Sequence, residues 1–168
     1  MKFVLATQNP KKLKEMSAIL GELGVEVVSE ADLGVKIEVE ETGETFAENS
    51  LLKAKAVMEA TKLPAIADDS GLCVDALNGG PGVYSARYAG EGHDDAANNA
   101  KLLDALKDVP GEKRTAQFRT SVALIRRGMP AVTADGSVEG RILRSPQGEN
   151  GFGYDPLFYY EPLKKSFA

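Results

Sequence analysis

Two adjacent carboxylates, Asp68 and Asp69, close the apolar run Ala65-Ile66-Ala67 and lead into the small residues Ser70-Gly71. Carboxylates at strand ends in α/β sheets point into the crevice where ligands bind, and hard oxygen donors suit Mg²⁺ rather than zinc. Neighbouring residues on an extended chain face opposite ways, so one of the pair reaches a reaction centre, and spacing does not say which. The bland alternative is an Asp-rich turn that caps its own backbone. Asp69-Ser70-Gly71 is also an aspartic-protease triplet, where two copies share a proton across a dimer. The preceding Asp68 and the helical content argue against that reading.

A second candidate is Thr7-Gln8-Asn9-Pro10-Lys11-Lys12. A strand stops there, Asn9 is a good N-cap, and Pro10 suits the first helical position. Free backbone N–H groups and the positive end of the dipole make such a terminus an anion site. Lysines in a first turn run against the dipole, so something negative must compensate them; otherwise this is a capped surface helix with solvated lysines. A third candidate is Glu41, which keeps the parity of Val35, Ile37 and Val39. If the strand stays extended, its carboxylate lies on the apolar face and needs a cation or a partner. If the chain turns at Glu40, both glutamates are solvated. Glu48 is explained without chemistry, because Thr45-Phe46-Ala47-Glu48 fits a capping box. The last candidate is the loop Gly148 to Pro156, which fits a dinucleotide fingerprint poorly. It presents Phe152 or Tyr154 to a flat ring, on which aromatics stack without a hydrogen-bond code, or packs them into the core.

These residues need elements to position them. Lys2–Ala6 reads as a buried strand and Pro10 to about Leu23 as a helix, with Leu13, Met16, Leu20 and Leu23 at steps of three and four and Gly24 as its stop. Val25–Val28 and Val35–Glu41 read as strands, and Thr45 opens a helix to about Thr61. Ala65–Ala67 is a strand ending at the aspartates, and Leu72–Leu77 resumes it before the turn cluster at 78–82. Asp94 or Asp95 caps a helix through Leu106. Ala116–Ile125 and Ala131–Leu143 form a hairpin. Strands alternating with helices, then a hairpin, predict an α/β fold with a mixed sheet.

Composition narrows the function. The 168 residues are 43% hydrophobic and 27% charged, ordinary globular usage for one compact unit. Twenty Lys and Arg against 25 Asp and Glu give a net charge of −5, which argues against a nucleic-acid polymer as partner. One cysteine, Cys73, and one histidine, His93, leave neither an internal disulfide nor a Cys/His zinc site. No run approaches the roughly 18 apolar residues of a membrane span. A soluble cytoplasmic protein is the simplest expectation.

Taken in order, the segments Thr7–Lys12, Glu41–Ser50 with Lys53, Ala67–Leu72, Pro81–Arg87 and Gly151–Pro156 resemble the inosine triphosphatase family of house-cleaning purine nucleoside triphosphate pyrophosphatases. The resemblance covers nearly the whole chain. It implies an elongated mixed α/β sheet in two lobes, with the nucleotide in the cleft between them, usually as a homodimer. It implies Mg²⁺-dependent hydrolysis of ITP, dITP, XTP or dXTP to the monophosphate and pyrophosphate. Carried over residue by residue, Thr7, Asn9 and Lys12 hold the triphosphate and Lys53 approaches the same phosphates. Glu41 and Asp69 bind Mg²⁺, and Asp69 is also the candidate general base. Ser70 touches substrate, and Phe152, Gly153, Tyr154 and Asp155 form the base pocket with Phe152 stacked on the purine.

The family continues past the segment matching Lys165-Ser166-Phe167-Ala168 into a helix, a lysine and a Ser-His-Arg motif that contact phosphate and base. The sequence ends at Ala168, and His93 does not map onto that motif. The expectation is a single two-lobed domain over 1–168 without that segment, its affinity and 6-oxopurine selectivity in doubt. A catalytically impaired nucleotide-binding protein is the alternative this leaves open.

Overall fold

A computed structural model describes residues 1–168. Strands β1 (Lys2–Leu5), β2 (Glu26–Ser29), β3 (Ala65–Val74), β4 (Thr115–Ile125), β5 (Val132–Ile142), β6 (Phe158–Tyr160) and β7 (Lys165–Ser166) alternate at first with helices α1 (Pro10–Glu22), α2 (Phe46–Thr61) and α3 (Asp95–Ala105). They form one seven-stranded sheet in the order β2-β1-β3-β4-β5-β6-β7. It is mixed, as expected: β1 pairs parallel with β2 and β3, while β5–β6 and β6–β7 are antiparallel. No helix is long and apolar enough to cross a membrane. The chain divides into two compact units, residues 1–69 with 120–135 and residues 70–119 with 136–168.

In the first unit, Val4, Ala6, Ala65 and Ala67 pack with Ala54 and Val57 of α2 and Ala123 of β4. Small side chains on these strands allow α2 a close approach. Leu5 and Ile66, pointing the other way by the two-residue period, are buried as well, as parallel strands covered on both faces require. In the second unit the core is Leu72, Val74, Leu102, Leu106, Ala116, Ile142, Tyr154, Leu157 and Phe158. Arg114 is buried within this unit and donates to the carbonyls of Leu106, Ile142 and Leu143. Satisfying three carbonyls at chain turns is what makes a buried guanidinium tolerable.

Three expectations about elements need correction. The α1 pattern is weaker than its spacing suggests: Leu13, Met16 and Leu20 are half-buried and Leu23, the C-cap, is 72% exposed. Residues 35–41 form no sheet strand. Their alternation survives, with 35, 37, 39 and 41 half-buried and the residues between exposed, but side chains replace the ladder: Ile37 N–H donates to the Glu30 carboxylate at 2.9 Å and its carbonyl accepts from the Gln8 amide at 3.0 Å. Finally, β3 does not stop at the aspartates. It runs through Asp68, Asp69, Ser70 and Gly71 to Val74, because buried apolar residues hold the segment at both ends, Ala65–Ala67 before it and Leu72 and Val74 after it, and the self-capping turn is excluded.

Candidate active site

The first unit gathers most of the predicted site. Asp68 and Asp69 are 5% and 6% exposed, and as neighbours on an extended strand they are met by lysines from different helices. Asp68 Oδ2 lies 2.6 Å from Lys12 Nζ of α1. Asp69 Oδ1 lies 3.7 Å from Lys53 Nζ of α2, and the same ammonium lies 3.3 Å from Glu41 Oε1. Glu41 thus sits where its parity demands, beside a cation. Burial is the main influence on the Asp69 carboxyl and holds its pKa above the usual carboxylate range. The neighbouring Glu41 charge adds to this, while Lys53, a hydrogen bond from Asn49 and Lys12 oppose it. A carboxylate raised in this way is a stronger proton acceptor than a solvated one.

The α1 entrance departs from expectation in one respect. Asn9 caps the helix as predicted, with Oδ1 accepting from Lys11 N at 3.0 Å and Lys12 N at 3.3 Å, and Thr7 Oγ1 accepts from Asn9 N. Two N–H groups expected to await an anion are therefore already used within the turn. What the terminus still offers a polyanion is side-chain chemistry: the Thr7 hydroxyl, the Asn9 amide and the Lys12 ammonium. The Thr45 cap behaves as predicted, accepting from Glu48 N, although Glu48 reaches back to Glu44 N rather than to Thr45.

In the second unit, Ser70 is half-buried on β3 and Phe152 half-buried in its loop. Tyr154 has a different surrounding: it is 5% exposed in the core, and its hydroxyl donates to Ser85 O at 2.6 Å. Burial pushes its phenol pKa up, with Tyr88 and Asp95 adding to the shift. Asp155 turns back on the loop, accepting from Phe152 N at 3.0 Å. The aromatic loop is therefore divided, Tyr154 serving as its anchor.

Sequence reasoning missed Asn49 as a positioning group. It is fully buried; its Oδ1 accepts from Gly43 N at 2.7 Å and its Nδ2 donates to Asp69 Oδ2 at 3.1 Å. One amide thereby ties the approach to α2 to the central carboxylate. A polar residue beside Ser50 and the core positions Ala54 and Val57 was the available signal. Gly43 must be glycine here, since a Cβ would stand 2.6 Å from Asn49 Oδ1.

The fold and the site define a mixed-sheet α/β protein whose buried strand carboxylates are met by lysines from two helices. The comparisons make this particular. The Ham1 family model matches residues 3–168, and the chain belongs to that family. It is 55% identical over 168 residues to the dITP/XTP pyrophosphatase of Desulforamulus reducens, covering 100% of this chain and 84% of that protein. It is 50% identical over 165 residues to the dITP/XTP pyrophosphatase of Bacillus subtilis, covering 98% and 83%. Among solved structures, the Ham1 protein of Staphylococcus aureus aligns with a TM-score of 0.87 at 43% identity, over 100% of this chain and 85% of that one. A HAM1 protein from Coxiella burnetii aligns with a TM-score of 0.89 at 42% identity, over 100% and 86%.

Proposed function

We propose that the chain hydrolyses the nonstandard purine nucleoside triphosphates ITP, dITP, XTP and dXTP to the monophosphate and pyrophosphate, with Mg²⁺ as cofactor. The observation that carries this reading is the meeting of Glu41 and Asp69 on one cation position, occupied by Lys53 Nζ at 3.3 and 3.7 Å. The names of the relatives support the substrate class.

The residues fit the metal. No group of three or more acidic, histidine or cysteine side chains converges to form a closed cage. One or two carboxylates are what Mg²⁺ takes in nucleotide enzymes, where substrate phosphates and water complete its octahedron. Glu41 and Asp69 would hold it, and when bound it supplies charge neutralisation at the phosphate oxygens. Lys53, released from those carboxylates, and Lys12 neutralise the triphosphate, with Thr7 and Asn9 hydrogen-bonding its oxygens. Asp69 accepts a proton from the attacking water as its oxygen bonds to the α-phosphorus. The bond from that phosphorus to the bridging oxygen breaks, and pyrophosphate leaves with the bond's electrons. Ser70 contacts substrate, and the loop of Phe152, Gly153 and Asp155 receives the purine, with Phe152 stacked on it. Tyr154 acts from behind, holding the loop. The same reading takes residues 1–168 as one catalytic domain, working in the cytoplasm as a homodimer.

The test is incubation with ITP, XTP, GTP and ATP plus Mg²⁺, assaying pyrophosphate and orthophosphate separately. Pyrophosphate should appear first, fastest with ITP or XTP. Orthophosphate as first product would refute attack at the α-phosphorus. Nucleotide-dependent thermal stabilisation without turnover would reduce the chain to a binding protein.

A further inference from the structure

The consecutive asparagines of α3, Asn98 and Asn99, together with Asp95, have no part in the chemistry above, yet the Asn98 amide, the Asn99 Nδ2 and the Asp95 carboxylate all bond loop backbone, while Asn99 Oδ1 is buried without a partner. Asn98 is buried and holds the 86–89 turn, its Oδ1 accepting from Ala89 N at 2.7 Å and its Nδ2 donating to Ala86 O at 2.9 Å. Asp95 and Asn99, one helical turn apart, converge on a single residue. Asp95 Oδ2 accepts from Gly153 N at 2.9 Å, and Asn99 Nδ2 donates to Gly153 O at 3.0 Å.

Gly153 follows Phe152, so its N–H belongs to the peptide that fixes ψ of Phe152. On the other side, Phe152 N donates to Asp155 Oδ2 at 3.0 Å. The N–H groups of Phe152 and of the residue after it are thus each held by a carboxylate, one from the loop and one from α3. With those two N–H directions set, the Cα–Cβ direction of Phe152 is set too. Beyond Gly153 the chain is anchored by buried Tyr154 on Ser85 O. Gly151 and Gly153, at φ +74° and +61°, supply backbone that other residues rarely adopt. A Cβ on Gly151 would fall 2.2 Å from Asp155 Oδ2, so the carboxylate clamp and the glycine are matched to each other.

From this geometry we infer that Asp95 and Asn99 are positioning residues for the base platform: by gripping both backbone groups of Gly153 they fix the direction in which Phe152 projects its ring to stack on the purine. The inference rests on the proposed function, in which Phe152 is that platform. It follows that α3 affects affinity for the nucleobase and not for the phosphates. The pinning acts before substrate arrives, so its loss appears as ordering cost at binding.

The experiment measures IMP binding by calorimetry, inhibition by inorganic tripolyphosphate, and kcat and KM for ITP, in Asp95→Ala, Asn99→Ala, Phe152→Ala and the combinations of each α3 variant with Phe152→Ala. Asp95→Ala and Asn99→Ala should weaken IMP binding and raise KM by up to about tenfold, approaching the loss in Phe152→Ala, as a stacked base is worth on that scale. Tripolyphosphate inhibition and kcat should not move. Asp95→Asn, which keeps an acceptor for Gly153 N, should restore binding, whereas Asn99→Asp, which loses the donor, should not. In the Phe152→Ala background neither α3 change should cost more. Equal weakening of tripolyphosphate, or an undiminished loss in that background, overturns the inference. If Phe152→Ala loses affinity while both α3 variants bind IMP normally, the inference alone fails. If Phe152→Ala binds IMP unchanged, the stacking reading fails, and the role of α3 with it. Melting temperatures of all variants separate these outcomes from unfolding.

Discussion

Asn49→Ala removes the amide that joins Gly43 N–H to the Asp69 carboxylate, and both former partners remain in place. Gly43 N–H loses an acceptor at 2.7 Å, and Asp69 Oδ2 loses a donor at 3.1 Å inside the protein. An unpaired buried polar group costs about 1–3 kcal/mol. Asp69 keeps Lys53, and the part-buried Gly43 can recruit water, so the combined loss of stability should be about 2–4 kcal/mol. Urea unfolding at constant m measures it. Turnover should fall as well, because the residues leading from Glu41 into α2 lose their tie to the central carboxylate. Asn49→Asp separates the two bonds. It keeps the acceptor for Gly43, drops the donor to Asp69 and sets a second carboxylate against it. That like charge should raise the Asp69 pKa further and move the acid limb of the rate profile to higher pH. An Asn49→Ala protein that loses less than about 0.5 kcal/mol and retains its rate would refute the reasoning, since no buried bond is that cheap to orphan.

Asp69→Asn should abolish turnover yet, in EDTA, raise the melting temperature at neutral pH. The folded-state pKa of Asp69 is raised, chiefly by burial, so above the usual carboxylate pKa of about 4 the folded state holds a proton the unfolded state has released, and stability falls as pH rises. The advantage of the amide should therefore vanish below that pH; equal melting temperatures at neutral pH would contradict it. Lys12→Ala should weaken triphosphate binding more than monophosphate binding and, by stripping the ammonium 2.6 Å from buried Asp68, cost about 1–3 kcal/mol of stability. Adding Asp68→Asn should recover stability without affinity, and equal losses for the two ligands would place Lys12 away from the β and γ phosphates.

Where a local rule governed a segment, the residues were enough to read it. Asn9 before Pro10, Thr45 before Glu48 and Asp94 before α3 each cap the helix they announce, because N-cap chemistry depends on the side chain and the next three residues alone. The parity of residues 35–41 predicted the half-buried side of Glu41 correctly, while the sheet strand expected there does not form. Alternation records which side is buried and says nothing of whether backbone groups meet a neighbouring strand or, as here, side chains, Ile37 N–H donating to Glu30 and Ile37 O accepting from Gln8. Asp68-Asp69-Ser70-Gly71 failed as a turn for a related reason. Turn propensity is weighed against solvent exposure, and lysines 56 and 16 residues away in sequence stabilise the extended acidic pair. Such pairing is invisible until the helices are folded onto the strand.

The lysines of α1 illustrate how the site resolves a conflict between rules. A cation in a first helical turn opposes the helix dipole, and the sequence demanded a compensating negative group. In the folded chain that group is internal: the Asp68 carboxylate. The cluster then sets three carboxylates, Glu41, Asp68 and Asp69, against two ammonium groups, Lys12 and Lys53. Near-neutrality makes burial of so many charges tolerable, but the cluster keeps a residual negative charge that repels a polyphosphate. If Glu41 and Asp69 held a divalent ion, the net charge of the cluster would turn positive and Lys53 would no longer be needed by those carboxylates, so a polyanion would meet the ion and Lys53 in addition to Lys12. On the proposed function, coupling between metal and triphosphate is therefore expected from the charge count of the cluster, with Lys53 as the side chain that carries it.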